Sequence, residues 1–239
     1  MGNGLIYPEI FNGLGITAFF TGKQVGIDKT KFALPYEPEP ILYMPVQKHT
    51  ATVIVLRKGA SVPNHTDDQR IGDAVVTDRQ DILAGVRTAD CVPILLYDAA
   101  LGIAGAVHAG WRGTAQGILK AAIETFITGF KSKPENILIA IGPAIRGCCY
   151  VVGEEVVEAV TSVTGAGDYT TIKNGAPYID LVRANSAQAL SLAIKPANIW
   201  TSGSCTACDS AHFNSFRKEG TIRGSQGAFI CPGPRPHTQ

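Results

Sequence analysis

The chain has 239 residues, which suffices for one large domain or two small ones, and it carries 21 basic and 20 acidic side chains. This balanced charge argues against a nucleic-acid or membrane partner. Because no Ser/Gly/Pro-rich linker or charge run divides the sequence, we expect one domain over residues 1–239.

The N-terminal sequence, MGNGLIYPEI, lacks a basic segment followed by an apolar core, so it does not predict a secretory signal. The longest apolar stretch, 137–145, is too short to cross a bilayer. We therefore expect a cytoplasmic protein. There, cysteines are expected to be thiols or ligands rather than disulfides; the chain has six, Cys91, Cys148, Cys149, Cys205, Cys208 and Cys231.

Strand-like segments dominate the first third of the chain. They are predicted at residues 4–7, 16–20, 52–56, 74–77 and 82–87. The segment 21–39 has no clean period, and prolines at 35, 38 and 40 favour an irregular surface region.

The next segment, from Arg87 to Thr114, contains two short apolar runs, 92–97 and 103–108. A Gly-containing connection joins them, which predicts a β-hairpin. Folding the chain about residue 100 places position 91 opposite position 109, so that Cys91 lies beside His108. A thiol and an imidazole at one end of a hairpin favour a metal site or a nucleophile with its base. The alternative is a buried core hairpin with no chemistry.

A helix is predicted at 114–127, with Thr114 as its N-cap and apolar residues at helical spacing. The turn that leads into it, Gly110 to Gly113, would offer free N–H groups to an anion, and Arg112 could add a charged fork. The sequence therefore predicts a Cys/His pair beside an anion-binding turn.

The rest of the chain mixes the two element types. It predicts strands at 137–141 and 199–201, helices at 153–163 and after the capping residue Asp180, and β-like pieces at 221–223 and 228–231. The apolar positions of the second helix are predicted at 181, 184, 187, 190 and 194. Because strands outnumber helices without a strict βαβ alternation, the predicted class is α+β with mixed sheets.

A metal on Cys91 and His108 needs a third ligand, and the chain has only five histidines. His49 precedes a buried strand and is the best candidate by position, although spacing alone favours a structural histidine there. One cysteine and two histidines leave a fourth position for water, as in catalytic zinc sites. Zinc and copper both suit these ligands, so the metal stays open. The remaining histidines, His65, His212 and His237, are expected in loops or in the tail.

Three further features involve reactive or charged side chains. Cys205 and Cys208 form a CxxC pair without a second pair or a thioredoxin-like context, so we expect two unrelated loop thiols rather than a zinc or redox site. A basic cluster, Arg217 and Arg223 with Lys218 between them, is either an exposed face or a site for an anionic substrate. Asp90 is expected to orient a neighbour, such as a metal-binding histidine.

Two blocks, Arg87-Thr-Ala-Asp-Cys-Val-Pro-Ile-Leu-Leu and Val107-His-Ala-Gly-Trp-Arg-Gly-Thr, resemble the signatures of the laccase-domain family, which is also labelled multicopper polyphenol oxidase. Weaker similarity includes Gly72-Asp-Ala-Val-Val-Thr77 and covers most of the chain. The resemblance implies zinc-dependent purine nucleoside phosphorolysis, with adenosine deamination and methylthioadenosine phosphorolysis as further activities. It also implies a single domain of packed mixed sheets with outer helices, and zinc on His49, Cys91 and His108. Lys48 and Thr50 replace the Val and Gly that the family usually has there.

The expected partners are thus purine nucleosides and phosphate. The candidate phosphate or substrate residues are Arg112, Gly110, Gly113, Arg217 and Arg223. The candidate catalytic residues are Cys91, His108, His49 and Asp90.

Two rival functions stay open. One is a copper-dependent polyphenol oxidase, although a laccase centre with four coppers needs more than five histidines. The other is a hydrolase with Cys91 as nucleophile and His108 as base. A non-enzymatic alternative treats the metal as a structural clip.

Overall fold

The computed structural model describes residues 4–25, 40–62, 71–221 and 224–233. Its strands are β1 (Leu5–Ile6), β2 (Thr17–Thr21), β3 (Ile41–Tyr43), β4 (Val53–Leu56), β5 (Ala74–Thr77), β6 (Ile82–Thr88), β7 (Val92–Asp98), β8 (Ile103–Ala109), β9 (Ile137–Ile141), β10 (Thr170–Lys173), β11 (Ala176–Ile179), β12 (Ile199–Thr201) and β13 (Gln226–Cys231). Its α-helices are α1 (Trp111–Ala115), α2 (Ile118–Glu124), α3 (Glu154–Thr164), α4 (Leu181–Ser191) and α5 (Phe216–Glu219).

Two mixed sheets form the body of the described structure. A five-stranded sheet has the order β1-β2-β13-β6-β3, and a six-stranded sheet has the order β12-β9-β7-β8-β5-β4. The pairs β3–β6, β4–β5 and β12–β9 are parallel, and the other neighbours are antiparallel. Strands β10 and β11 form a separate antiparallel hairpin. The predicted α+β class with mixed sheets is confirmed.

The six-stranded sheet is the middle layer. One of its faces packs against the five-stranded sheet, as the contact cluster around Phe20 and Leu95 shows. The other face packs against helices α2 and α4, in a cluster that includes Ile94, Ile123 and Ala184. Strands β7 and β8 are therefore buried along their whole length, which explains why they are nearly continuous apolar runs. Because both faces are covered, polar chemistry in this sheet is placed at the strand ends.

The hairpin of β7 and β8 is confirmed, with a register one residue away from the predicted one. Val92 pairs with Ala109, and the ladder extends to the pair Asp98 and Ile103. Position 91 thus lies just beyond the ladder, opposite position 110. Gly102 ends the tight connection with a φ of 67°, a conformation that glycine adopts without a steric cost.

The predicted helix at 114–127 begins earlier than expected and is interrupted. Helix α1 starts at Trp111 with Gly110 as its N-cap residue, so Thr114 is not the N-cap. Thr114 is buried within α1, and its Oγ1 accepts a hydrogen bond of 3.0 Å from Asn185 Nδ2. Gly117 then adopts a φ of 75° and separates α1 from α2. A π-helical turn, Thr125–Gly129, follows α2.

Apart from the piece at 221–223, the predicted later elements are present, but position 194 lies beyond the end of α4, and β10, β11 and α5 were not predicted. Asp180 caps α4, and its carboxylate accepts a hydrogen bond of 3.1 Å from the backbone N–H of Arg183. Leu190, predicted on the buried face of α4, is 44% exposed, because that face instead uses Asn185 and Gln188 to contact α1. Residue 221 lies outside any strand, and the rest of the 221–223 prediction lies outside the described residues.

In the described ranges no helix has the length and apolar character that a membrane span requires.

Candidate metal centre

One edge of the six-stranded sheet collects four polar side chains at strand ends. His49 and Asp73 lie before β4 and β5, Cys91 lies immediately before β7, and His108 is the second-last residue of β8. Since β8 runs antiparallel to both β5 and β7, its end meets their beginnings. The sheet topology therefore brings together residues that are far apart in the sequence.

Three of these side chains have the arrangement of a metal site. The ligand atoms of His49, Cys91 and His108 all lie within 4.8 Å of one another. Cys91 Sγ is 3.9 Å from His49 Nε2, and the two imidazole rings are 4.9 Å apart at their centroids with an interplanar angle of 74°. His108 is buried and His49 is exposed, so the centre lies at the boundary between core and solvent.

Asp73 is the residue that sequence reasoning missed. It is fully buried, and its Oδ1 accepts a hydrogen bond of 2.7 Å from His108 Nδ1. This contact fixes the ring and leaves Nε2 to face the other two ligands, as is usual for a metal-binding histidine. The available signal was a lone aspartate directly before the largely apolar strand β5, Ala74–Thr77.

The same carboxylate also holds the loop of His49. Three successive backbone N–H groups, of Lys48, His49 and Thr50, donate to Asp73 at 3.2, 3.0 and 2.7 Å. Such consecutive N–H groups form an anion nest, and His49 takes the left-handed φ of 59° that this turn requires. Thr50, which stands where the resembled family has Gly, adds its Oγ1 at 2.9 Å. One aspartate therefore orients both histidines.

Electrostatics link the same residues. Burial by itself would raise the pKa of Asp73, but hydrogen bonds from His108 and Thr50 hold it well below its ordinary value. Burial would lower the pKa of His108, yet its bonds to Asp73 and Cys91 raise it to about 9. Burial would raise the pKa of Cys91, and the two imidazoles lower it to about 6. The protein thus favours a thiolate at position 91, which is the form that binds metals and attacks electrophiles.

The backbone next to the centre leaves room only for glycine. A Cβ atom on Gly110 would lie 2.9 Å from His49 Cδ2 and 3.0 Å from Cys91 Sγ. A Cβ on Gly113 would lie 3.2 Å from Ile118 Cγ2 and 3.4 Å from the carbonyl oxygen of Thr50. Both glycines therefore permit close packing around the ligands. The phosphate-binding role predicted for their N–H groups stays a prediction.

Asp90 does not take the part that the sequence suggested. Its carboxylate accepts hydrogen bonds from Thr206 Oγ1 at 2.6 Å and from the backbone N–H of Arg217 at 2.7 Å. Within the metal centre the aspartate that binds a histidine is Asp73, so the suggestion that Asp90 orients a metal-binding histidine is wrong, although Asp90 does hold two other neighbours. With a φ of 85°, Asp90 departs from the extended strand conformation. Its bond to Arg217 ties the start of α5 to the segment that leads into Cys91.

A pocket of about 300 Å³ opens beside the three ligands. This volume is at the lower end of the roughly 300–1,000 Å³ of small-molecule sites. Its lining combines apolar and aromatic surface with the cationic side chains of Arg112 and Arg217. The complete lining is His49, Ala89, Asp90, Cys91, Trp111, Arg112, Ile145, Tyr150, Leu181, Phe216 and Arg217. Of the predicted site residues, His49, Asp90, Cys91, Arg112 and Arg217 line this cavity. Gly110, Gly113 and His108 are not among its lining residues, and Arg223 lies outside the described residues.

The two arginines of the pocket are held by aromatic rings. Arg112 Cζ lies 4.3 Å from the ring centroid of Trp111, and Arg217 Cζ lies 4.9 Å from that of Tyr150. Arg217 also donates from Nη1 to the carbonyl oxygen of Val151 at 2.7 Å. These contacts fix two positive charges near the ligands.

Burial raises the pKa of Tyr150 to about 12, and the negative charge of Cys91 adds to the shift.

Cys205 and Cys208, expected to be unrelated loop thiols, instead lie with Cys148 and Cys149. The four sulfur atoms are all within 4.8 Å of one another. The expectation was wrong because the partner of the CxxC pair is a pair of adjacent cysteines about 57 residues away, rather than a second CxxC.

Comparison with known proteins gives a consistent result. Residues 27–232 match the family model described as multi-copper polyphenol oxidoreductase laccase. The adenosine deaminase RL5, from an unknown prokaryotic organism, is 37% identical over 190 residues, which cover 77% of this chain and 72% of that protein. A purine nucleoside phosphorylase of Clostridium acetobutylicum is 36% identical over 173 residues, which cover 70% of each chain.

A solved structure supports the same grouping. The crystal structure of YlmD from Geobacillus stearothermophilus superimposes with a TM-score of 0.82 at 27% sequence identity, and the match covers 98% of this chain and 97% of that one. The similarity therefore extends over the complete fold and is not confined to the hairpin.

Proposed function

The chain belongs to the multi-copper polyphenol oxidoreductase laccase family, and from this premise we propose that it is a metal-dependent purine nucleoside phosphorylase. The observation that carries the proposal is the convergence of His49, Cys91 and His108 beside a pocket with two fixed arginines. Relatives named purine nucleoside phosphorylase and adenosine deaminase support it. Adenosine deamination and methylthioadenosine phosphorolysis are proposed as further activities.

The metal is proposed to be zinc, held by His49 Nε2, Cys91 Sγ and His108 Nε2. The donor set fits, since one thiolate and two imidazoles leave one of four tetrahedral positions open to a substrate or to water. When bound, the ion supplies Lewis-acid stabilisation of negative charge at that position. Asp73 keeps both imidazoles in the orientation that this role needs.

Phosphate is proposed to bind between Arg112 and Arg217. Guanidinium groups match phosphate oxygens in charge and geometry. Because Trp111 and Tyr150 already hold these side chains, little side-chain entropy is lost when the anion binds.

The nucleoside is proposed to occupy the apolar part of the pocket. Phe216 and Tyr150 offer aromatic surface for a purine, and Leu181 adds an aliphatic contact. The Tyr150 hydroxyl stays protonated at neutral pH because its pKa is about 12, so it is available as a hydrogen-bond donor. In the reaction a phosphate oxygen forms a bond to the ribose C1′, the C1′–N bond breaks, and its electron pair leaves with the base, which takes up a proton.

Two other functions predict different behaviour. Copper-dependent polyphenol oxidation is supported only by the name of the matching family model. The five histidines of the chain are too few for a laccase centre with four coppers. A Cys91 hydrolase would use the thiolate that His108 stabilises, without a metal. In that case an alkylating agent would modify Cys91 in metal-loaded protein, whereas a zinc-bound thiolate would be protected.

The test compares phosphate-dependent release of hypoxanthine from inosine by wild type and by Cys91→Ala. We expect the variant to lose more than about 100-fold in kcat/KM, since even the loss of a hydrogen-bond partner of a ligand costs about 10–100-fold. Cys231→Ser is the matched control, because Cys231 is a buried thiol of β13 and not a member of the metal centre. Unchanged phosphorolysis in Cys91→Ala would refute the proposal.

We propose that residues 1–239 act as one domain, supported by the face-to-face contact of the two larger sheets. We also propose a cytoplasmic location, supported by the six cysteines that the structure shows as free thiols.

A further inference from the structure

The four-thiol cluster lies where two loops leave the same edge of the six-stranded sheet. Strands β9 and β12 are parallel neighbours, so the loops that follow them emerge side by side. The loop after β9 carries Cys148 and Cys149, and the loop after β12 carries Cys205 and Cys208. A β-bridge between Ala144 and Cys205 continues the pairing of the two strands into the loops.

The sulfur positions match a tetrahedral ion. Cys208 Sγ is 3.5 Å from Cys148 Sγ and 3.3 Å from Cys149 Sγ, and all four sulfurs lie within 4.8 Å of one another. Zinc–sulfur bonds of about 2.3 Å in a tetrahedron place neighbouring sulfurs about 3.8 Å apart. The cluster therefore needs only small side-chain shifts to surround one ion.

One of the four sulfurs, that of Cys205, accepts a hydrogen bond from the protein backbone. The backbone N–H of Arg146 donates to Cys205 Sγ at 3.4 Å, and hydrogen bonds to an ionised acceptor are stronger than those to a neutral one. Lys173 Nζ donates a hydrogen bond of 2.9 Å to the carbonyl oxygen of Gly147, the residue before Cys148. A cation next to the loop offsets part of the net charge of about −2 that four thiolates and one Zn²⁺ would carry.

We propose that Cys148, Cys149, Cys205 and Cys208 bind a second zinc ion, and that this ion has a structural role. Four cysteine ligands close the coordination shell and leave no position for a substrate. A disulfide explains the geometry less well, because Cys208 is equally near two adjacent thiols and could pair with only one. A single ion engages all four.

The ion would stabilise the wall of the pocket. Ile145 and Tyr150 line the pocket, and they flank the loop that carries two of the ligands. On the other loop Thr206 donates to Asp90, which is adjacent to Cys91. Joining the loops through zinc thus fixes both sides of the cavity. This inference concerns the wall and does not depend on which reaction occurs inside.

Zinc content and zinc K-edge absorption spectra of anaerobically purified protein test the proposal. Wild type is expected to hold about two zinc ions per chain, and Cys208→Ser and Cys91→Ala about one each. In Cys91→Ala the remaining ion should show only sulfur neighbours, at about 2.3 Å. Cys231→Ser is the control for the loss of a thiol outside the cluster and should keep both ions.

Several results would overturn the proposal. These are zinc-free Cys91→Ala, nitrogen neighbours in its zinc spectrum, iron in place of zinc, or a disulfide between Cys208 and Cys148 or Cys149 in the anaerobic protein. The Cys91→Ala measurement decides the question even if Cys208→Ser does not fold. Zinc-free Cys91→Ala that keeps phosphorolysis would refute both sites, whereas one sulfur-bound zinc without activity supports both.

Discussion

The two cysteine-containing clusters of this molecule are built in opposite ways. The centre of His49, Cys91 and His108 lies at the strand ends of the buried sheet and is oriented by Asp73, a fully buried carboxylate with hydrogen bonds to both histidine segments. The four-thiol cluster lies on two loops, and two of its cysteines are exposed. Mixed ligands with an open position beside a pocket suit catalysis, whereas four thiolates suit the joining of loops.

The contrast lies in what orients the ligands. Protein hydrogen bonds orient His49 and His108 before any ion binds, whereas we expect the four-thiol cluster to take its final geometry from its ion. The first site has a carboxylate that accepts bonds from three backbone N–H groups and one imidazole. The second has fewer supporting bonds, so its geometry depends more on the metal.

The largest effect is expected for Asp73→Ala. Removing this carboxylate leaves a buried imidazole and a turn of N–H groups without their acceptor, so we expect the free energy of unfolding to fall by about 3–5 kcal/mol. Urea denaturation of metal-free protein measures it. In a separate zinc-loaded preparation, the four-thiol cluster should keep its zinc in the folded fraction.

Asp209→Ala is the control for loss of a carboxylate–histidine contact. Asp209 accepts a hydrogen bond of 2.8 Å from His212, and both side chains are largely exposed. Its loss should cost about 1 kcal/mol or less. Equal effects of the two substitutions would show that Asp73 does not organise the centre.

An intermediate effect is expected for Arg217→Ala. The loss of a charge-assisted hydrogen bond to phosphate, about 1.5–3 kcal/mol, should raise the KM for phosphate by about 10–100-fold. Steady-state kinetics with varied phosphate measures this. Arg57, which donates to the carbonyl oxygen of Gly129, provides the control Arg57→Ala. A KM for phosphate that stays at the wild-type value would remove Arg217 from the phosphate site.

A smaller effect is expected for Gly110→Ala. The new Cβ would press on His49 and Cys91 at about 3 Å, and overpacking of this kind costs about 1–3 kcal/mol. We expect zinc affinity at this centre to fall by about tenfold, measured by competition with a chelator, while the four-thiol site keeps its affinity. Gly129→Ala is the control, since its Cβ would meet Arg57 Nη2 at an ordinary 3.4 Å. Unchanged affinity in Gly110→Ala would mean that the ligands do not converge beside Gly110.

The sequence predicted the part of the site that depends on local pattern. Two long apolar runs with a short connection determine the hairpin of β7 and β8, and the hairpin places Cys91 near His108. His49 followed from the family resemblance, because spacing alone left several histidines open. The helix at 114–127 was placed too late because glycines at 110 and 113 looked like a turn, although they lie at the beginning of α1.

What the sequence did not predict depends on contacts between distant segments. Asp73 reaches His108 only because β5 pairs with β8. No local sequence pattern predicts that pairing. Cys148 and Cys208 meet only because β9 and β12 are neighbours in the sheet. In both cases the missing information was strand order, which a single sequence encodes weakly.

Anomalous X-ray diffraction at the zinc edge, on crystals of metal-replete protein, tests the central proposal most directly. An ion is expected about 2.0–2.3 Å from His49 Nε2, Cys91 Sγ and His108 Nε2, with its fourth position facing the pocket. Zinc found only at the four thiols, with none between the two imidazoles and Cys91, would contradict the assignment of this centre.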